Sequence, residues 1–278
     1  LRRTVPGLRW AGPDPAGCAG LHGGSVFVEG NYYLTGQQEE IKNKIINGID
    51  NREHKIWGIQ GSAGTGKTLL LYDIARTLGQ MMRVCVIHSG ILSQGHIELN
   101  SILREVDIIP VKECNENLIR QYDCILIDES QRLYQVDFDC IVKAFQDLNI
   151  HCIFGYDYYQ VLSYAEENRN IPEQLNRLSF FCENKLSEKI RTNKEVASFI
   201  KNVINLAHRP KRYMDYSNIE VLYAFDYTVA KNIIEHYVTN KEYKFISYTP
   251  SRIKSNDIDK LSNYTNTHHI IGQEFDNV

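Results

Sequence analysis

Gly61-Ser62-Ala63-Gly64-Thr65-Gly66-Lys67-Thr68 fits G-x-x-x-x-G-K-[ST], the pattern of a loop that cradles phosphates. Its flanks agree. Lys55-Ile56-Trp57-Gly58-Ile59-Gln60 reads as a short buried strand. Leu69 to Leu78 reads as a helix, with Leu69, Leu70, Leu71, Ile74, Ala75 and Leu78 apolar. Glycines let consecutive N–H groups converge on phosphates with no Cβ in the way, and the helix that starts here adds its positive end. Ser62, Ala63, Gly64 and Thr65 form the cradle, Lys67 can reach the β- and γ-phosphates, and the Thr68 hydroxyl suits Mg²⁺. The competing reading is a glycine-rich turn that matches by chance. A strand before it and a helix after it weigh against that.

A second signal lies downstream. Tyr122-Asp123-Cys124-Ile125-Leu126-Ile127-Asp128-Glu129 is an apolar strand that delivers two carboxylates at its end. Asp128 is the candidate Mg²⁺ ligand, and Glu129 the candidate base for an attacking water. Ser130-Gln131-Arg132 extend the motif. An acidic turn after a core strand is the plain alternative. Upstream, Leu34-Thr35-Gly36-Gln37-Gln38 precedes a helical pattern at Ile41, Ile45, Ile46 and Ile49, with Thr35 as its N-cap. The Gln38 amide can pair with the donor and acceptor edge of adenine, or it can be a surface glutamine of a capped helix.

Arg83-Val84-Cys85-Val86-Ile87-His88 reads as another buried strand, ending at Ser89-Gly90. Loops at the carboxyl ends of parallel strands line the ligand crevice, so His88, Ser89 and Gln94 are candidates to face a nucleic acid. A plain strand-to-helix loop fits them equally. Phe138, Ile141, Val142, Phe145 and Leu148 have helical spacing, and His151 to Asp157 reads as one more strand, followed by Gln160. Gln160 suits contact with the γ-phosphate and the attacking water; a solvent-facing glutamine is the alternative.

From Asn184 the chain turns basic, with Lys185, Lys189, Arg191, Lys194 and Lys201, then His208-Arg209-Pro210-Lys211-Arg212-Tyr213. Lys185, Arg209, Lys211 and Arg212 suit phosphate-backbone contacts, and a solvated charged face is the rival reading. Arg191 precedes a helix pattern at Val196, Phe199, Ile200, Val203 and Ile204, and fits an arginine finger. Beyond it, Ile219 to Phe225 reads as strand, Val229 to Val238 as helix, and Lys244 to Tyr248 as strand, the start of a second α/β domain.

The bulk properties fit a soluble globular protein of one large or two ordinary domains. A net charge of −3 means that any nucleic-acid surface is a local patch. The seven cysteines form no C-x-x-C and lie mostly in apolar runs, which points to a reducing cytoplasm and no zinc site. No apolar run approaches the roughly 20 residues of a membrane span. Leu1 to Ser25 holds no Ile, Asn, Lys or Tyr, although the rest of the chain is rich in them. Residues 1–27 therefore read as a disordered or foreign leader.

The order of these motifs resembles superfamily 1 helicases, and most closely the bacterial Schlafen-like DNA/RNA helicase domain family. The resemblance rests on Leu34-Thr35-x-x-Gln38, Gly61 to Thr68, Asp128-Glu129-Ser130-Gln131, Gln160, Leu186 to Arg191, and His268 to Phe275. It implies a RecA-like ATP-binding domain over residues 28–182, with a central parallel sheet flanked by helices. A second, incomplete RecA-like domain follows over 183–278. ATP with Mg²⁺ is then expected between the domains, and single-stranded DNA or RNA across them. By the same resemblance Gln38 reads adenine, Lys67 and Thr68 hold phosphate and metal, Gln160 senses the γ-phosphate, Arg191 reaches it, and Glu274 contributes to the cleft. Tyr156, interposed between Gly155 and Asp157, departs from the family's Gly-Asp-x-x-Gln, which weakens any role for Asp157. The family's last arginine motif would lie beyond Val278. The main rival is a regulatory or signalling NTPase without unwinding activity. A non-hydrolysing nucleic-acid-binding module is a further one, disfavoured by Lys67, Asp128 and Glu129 together.

Overall fold

Short runs of Ile, Val, Leu and Cys decide the architecture, because strands buried on both faces must be apolar throughout. A computed structural model describes residues 32–53, 55–161, 163–187, 194–204, 215–241, 243–247, 265–266 and 278. They fall in two units, those within 34–89 and 105–230 in one, and those within 1–33, 90–104 and 231–278 in the other. The leader expected over 1–27 lies outside the described residues.

The first unit is built on six strands: β1 (Ile56–Gly61), β2 (Val84–His88), β3 (Val106–Pro110), β4 (Cys124–Asp128), β5 (His151–Tyr156) and β6 (Phe181–Leu186). Every pairing is parallel, in the order β3-β2-β4-β5-β1-β6. The register places His88 opposite Asp128, Gln60 opposite Tyr156 and Gly61 opposite Leu186, so all these strands end along one edge. The thiols of Cys85, Cys124 and Cys152 lie inside this sheet, and burial pushes each well up from its ordinary range. They act as small apolar side chains.

Helices α1 (Gly36–Asp50), α2 (Lys67–Gly79), α4 (Glu116–Ile119), α5 (Gln135–Leu148), α6 (Tyr164–Arg169), α7 (Ile171–Asn176) and α8 (Lys194–Ile204) complete this unit, while α3 (Gln94–Ile102) belongs to the second. α1 begins with a reciprocal capping box between Thr35 and Gln38. α2 buries Leu70, Leu71, Ile74, Ala75 and Leu78, as their spacing predicts, and Tyr72 besides, while Leu69 is only partly buried. α5 buries Phe138, Ile141 and Phe145, and Phe138 meets the β5 ring of Phe154 edge-on at 6.2 Å.

Two strands are not foreseen in the sequence, and both are at the sheet's edges. β3 is short and alternates, with Asp107 exposed, and β6 carries Glu183, Asn184 and Lys185. The domain boundary expected at 182 falls inside β6, which pairs with β1 along its whole length. The strand expected over Ile219 to Phe225 is absent. That segment has no ladder partner among the described residues, and Val221, Tyr223 and Phe225 are exposed. Helix α9 (Tyr227–Asn240) follows. In the second unit, β7 (Ile246–Ser247) pairs parallel with β8 (Thr265–Asn266), within the strand expected from Lys244.

Gly48 shows how tightly α1 sits on the sheet. A Cβ there would lie 2.3 and 2.6 Å from ring atoms of Trp57, itself buried in β1. Gly48→Ala gains about 1 kcal/mol of helix propensity, but overpacking against this buried ring costs about 1–3 kcal/mol. The substitution is expected to lower the melting temperature, measured by circular dichroism.

Candidate functional site

β1 ends at Gly61 and α2 begins at Lys67, so the loop between them is short and must turn sharply. Gly64 and Gly66 both have φ of 76°, the left-handed region that glycine enters without strain. The Thr65 hydroxyl donates to the Ser62 carbonyl at 2.8 Å, and the Thr65 N–H to the same oxygen at 3.3 Å. Gly66 has no side chain to cap α2, which leaves the helix start suited to an anion. Lys67 is buried. Its ammonium donates to the Ser62 carbonyl at 3.2 Å and lies 3.9 Å from an Asp157 oxygen.

β4 brings the carboxylates. Asp128 is buried and accepts from the Thr68 hydroxyl, 3.2 Å to Oδ2 and 3.4 Å to Oδ1. Thr68 and Asp128, predicted separately as Mg²⁺ ligands, are thus brought together, and a hard-oxygen pair suits that ion. Burial, then the charge of Asp128, holds the Tyr72 phenol neutral. Glu129 turns away from Asp128 through a left-handed backbone, φ 55°, an uncommon conformation for a residue with a side chain. Its N–H donates to Asp128 Oδ1 at 3.1 Å.

Glu129 is held from two sides. Gln131 Nε2 donates to its Oε2 at 2.8 Å. Arg132 Nε lies 3.3 Å from the same oxygen, but its N–H is not aligned on it, so the attraction is one of charge. Gln131 also accepts from the Asp157 N–H at 3.2 Å and donates to the Gln160 carbonyl at 3.4 Å. One amide therefore joins the candidate base to the segment after β5, in which Asp157 faces Lys67. Gln160 enters this network through its carbonyl. Gln131, Arg132 and Asp157 carry more of the site than their sequence signals convey. The interposed Tyr156 does not remove Asp157 from the site, because Tyr156 is the last residue of β5 and Asp157 the first beyond it.

Other predicted residues stand differently. His88 does not face outward: it is 1% exposed, with Nδ1 3.7 Å from Asp128 Oδ2, because β2 runs beside β4 to its end. Ser89 is partly buried, and its N–H donates to the Asp128 carbonyl at 3.2 Å. Lys185 is exposed on β6 and pairs with Glu183 at 3.0 Å, which raises its pKa. Gln38 is fully buried. Its Oε1 accepts from the Thr35 N–H at 3.0 Å, and its Nε2 donates to the Thr65 and Gly66 carbonyls at 3.1 and 3.5 Å. The adenine contact predicted for it is therefore closed off in this arrangement. Its neighbour Gln37 donates to the Lys185 carbonyl and accepts from the Ser187 N–H, both at 3.0 Å. Arg191, Arg209, Lys211, Arg212 and Glu274 lie outside the described residues.

Sheet, loop and carboxylates together define an α/β phosphate-loop fold. The family description "Schlafen group 3, DNA/RNA helicase domain" matches residues 54–272, and the chain belongs to that family. Among solved structures, similarity extends to a Bacteroides Pif1 bound to single-stranded DNA, at 16% identity and TM-score 0.45, covering 81% of this chain and 62% of that one. A structure of two coordinating Pif1 helicases at forked double-stranded DNA shares 18% identity at TM-score 0.48, covering 83% and 57%. AMPPCP-bound DnaA from Aquifex aeolicus shares 18% at TM-score 0.40, covering 67% and 57%. The chain spans less than two thirds of the length of each of these three. No curated protein matches it.

Gly61 is the tightest point of the loop. A Cβ there would lie 2.4 Å from Thr65 Oγ1 and 3.1 Å from the Leu186 Cβ. Gly61→Ala must displace the Thr65 hydroxyl from Ser62. The resulting distortion of the loop is expected to weaken nucleotide binding, measurable with a fluorescent ATP analogue, beside an overpacking cost to stability of about 1–3 kcal/mol.

Proposed function

We propose that this chain is the core of an ATP-hydrolysing motor that acts on single-stranded DNA or RNA. The observation that carries the reading is the convergence of Lys67, Thr68, Asp128 and Glu129 at one edge of the sheet, with Thr68 on Asp128 at 3.2 Å. The loop N–H groups and the start of α2 would receive the phosphates, and Lys67 would turn from Ser62 and Asp157 toward them. Thr68 and Asp128 would hold Mg²⁺, which supplies charge neutralisation at the phosphoryl oxygens.

Glu129 would orient the attacking water and take its proton. Gln131 and Arg132 fix that carboxylate. We assign Gln160 to sensing the γ-phosphate, since its carbonyl already shares Gln131 with Glu129. We also assign Arg191 as the finger, Glu274 to the cleft, and Lys185, Arg209, Lys211 and Arg212 to the nucleic-acid backbone. These roles rest on residue type and family membership. Among the described residues no helix is long and apolar enough to cross a membrane.

Three measurements test this. Lys67→Ala is expected to abolish ATP binding without unfolding the chain. Glu129→Gln is expected to retain ATP binding and lose roughly 10²–10⁴-fold in turnover, the range of a general base. ATP hydrolysis by the full-length protein should rise when single-stranded DNA or RNA is added. Hydrolysis indifferent to every nucleic acid would favour a regulatory nucleotide switch and sink the motor reading.

A further inference from the structure

We infer that Asp157 is a specificity-determining residue of the phosphate loop, one that sets the site against phosphate anions arriving without a metal ion. The inference rests on the reading of Gly61 to Thr68 as a triphosphate site.

Charges crowd this end of the sheet. The buried carboxylates of Asp128, Glu129 and Asp157 stand there with Lys67 and Arg132, whose side chains are almost as buried. Arg132 is spent on Glu129. His88 lies 3.7 Å from Asp128 and adds a full charge only when protonated. Lys67 is the cation beside Asp157, with its ammonium 3.9 Å from Oδ2. Asp157 has no other ion pair among the described residues. The ammonium that is to meet a phosphate thus already has an anionic partner in the protein.

That partner is fixed by more than Lys67. Asp157 Oδ1 accepts the Tyr159 N–H at 2.9 Å, and the Asp157 N–H donates to Gln131 Oε1 at 3.2 Å. Its side chain is 2% exposed, so little water is present to screen it. A phosphate that draws Lys67 away would leave this carboxylate in place beside a second anion. Like charges repel strongly where water is scarce. A phosphate complexed with Mg²⁺ brings its own compensating charge, for which Thr68 and Asp128 offer oxygens. The loop N–H groups and the start of α2 attract both forms alike. Asp157 therefore separates them: it disfavours free phosphate, pyrophosphate and uncomplexed nucleotide, and tolerates the metal complex of a triphosphate.

Asp157→Asn tests this, because it keeps the shape and an oxygen for the Tyr159 N–H and removes the charge. Affinities for ATP and for inorganic tripolyphosphate are measured by calorimetry, once with excess Mg²⁺ and once with EDTA. In EDTA both are expected to rise by roughly tenfold in the variant, and with Mg²⁺ by distinctly less. Damage to the fold does not imitate a gain of affinity. Unchanged or weaker binding in EDTA would overturn the inference. An equal rise with and without Mg²⁺ would overturn the discrimination between the two forms.

Should the Asn variant not fold, the side-chain resonances of Lys67 and Asp157 in the unsubstituted protein give the answer. Saturating tripolyphosphate in EDTA is expected to shift both, because the ammonium leaves the carboxylate. Resonances that stay in place while the ligand binds show that the pair persists and refute the role. Failure of the unsubstituted protein to bind either ligand, even with Mg²⁺, would instead refute the triphosphate site itself.

Discussion

One buried ammonium organises the functional edge of this molecule. Lys67, Asp128, Glu129 and Asp157 are each less than a tenth exposed, and a charge moved from water into such a place must find a partner. Lys67 finds Asp157 and the Ser62 carbonyl. Glu129 finds Arg132 and Gln131, and Asp128 the hydroxyl of Thr68. Lys67 with Asp157, and Thr68 with Asp128, are pairs across segments, and Gln131 bonds onward to Asp157 and Gln160, so satisfying the charges ties the loop after β1, the end of β4 and the segment after β5 together. A triphosphate with its metal brings charges of both signs to the same place. It would replace these pairings only if several segments responded together.

The neighbouring carboxylates show how backbone geometry divides labour. Asp128 ends a strand and stays beside Thr68. Glu129, the next residue, leaves in a left-handed turn, and its side chain meets Gln131 and Arg132 in the short 3₁₀ turn Ser130–Arg132. Sequence spacing shows that adjacent side chains diverge at a strand end. It does not show the positive φ that sends them to different partners.

What was legible in the sequence is what chemistry requires to be contiguous. The loop from Gly61 to Thr68 and the Asp128-Glu129 pair are local patterns, and the buried strands β1, β2, β4 and β5 announce themselves by apolar runs. The edge strands β3 and β6 do not, because a strand with one open side tolerates Asp107 or Lys185. The opposite error arises at Ile219 to Phe225, where a strand-like composition has no ladder partner among the described residues. Burial is a tertiary fact, and it overturns the outward reading of His88 and closes the adenine edge of Gln38. A clue to Gln38 was present in the spacing Thr35-x-x-Gln38, which is that of a capping box. That box commits one end of the amide before any ligand arrives.

The left-handed backbone at Glu129 sets durability against chemistry at a single residue. Glycine would occupy that conformation without strain and would relax the turn, yet it would carry no carboxylate. A chain selected only to persist would drift toward glycine there. A glutamate at that point keeps a carboxylate beside Gln131 and Arg132 in a turn whose local strain glycine would relieve.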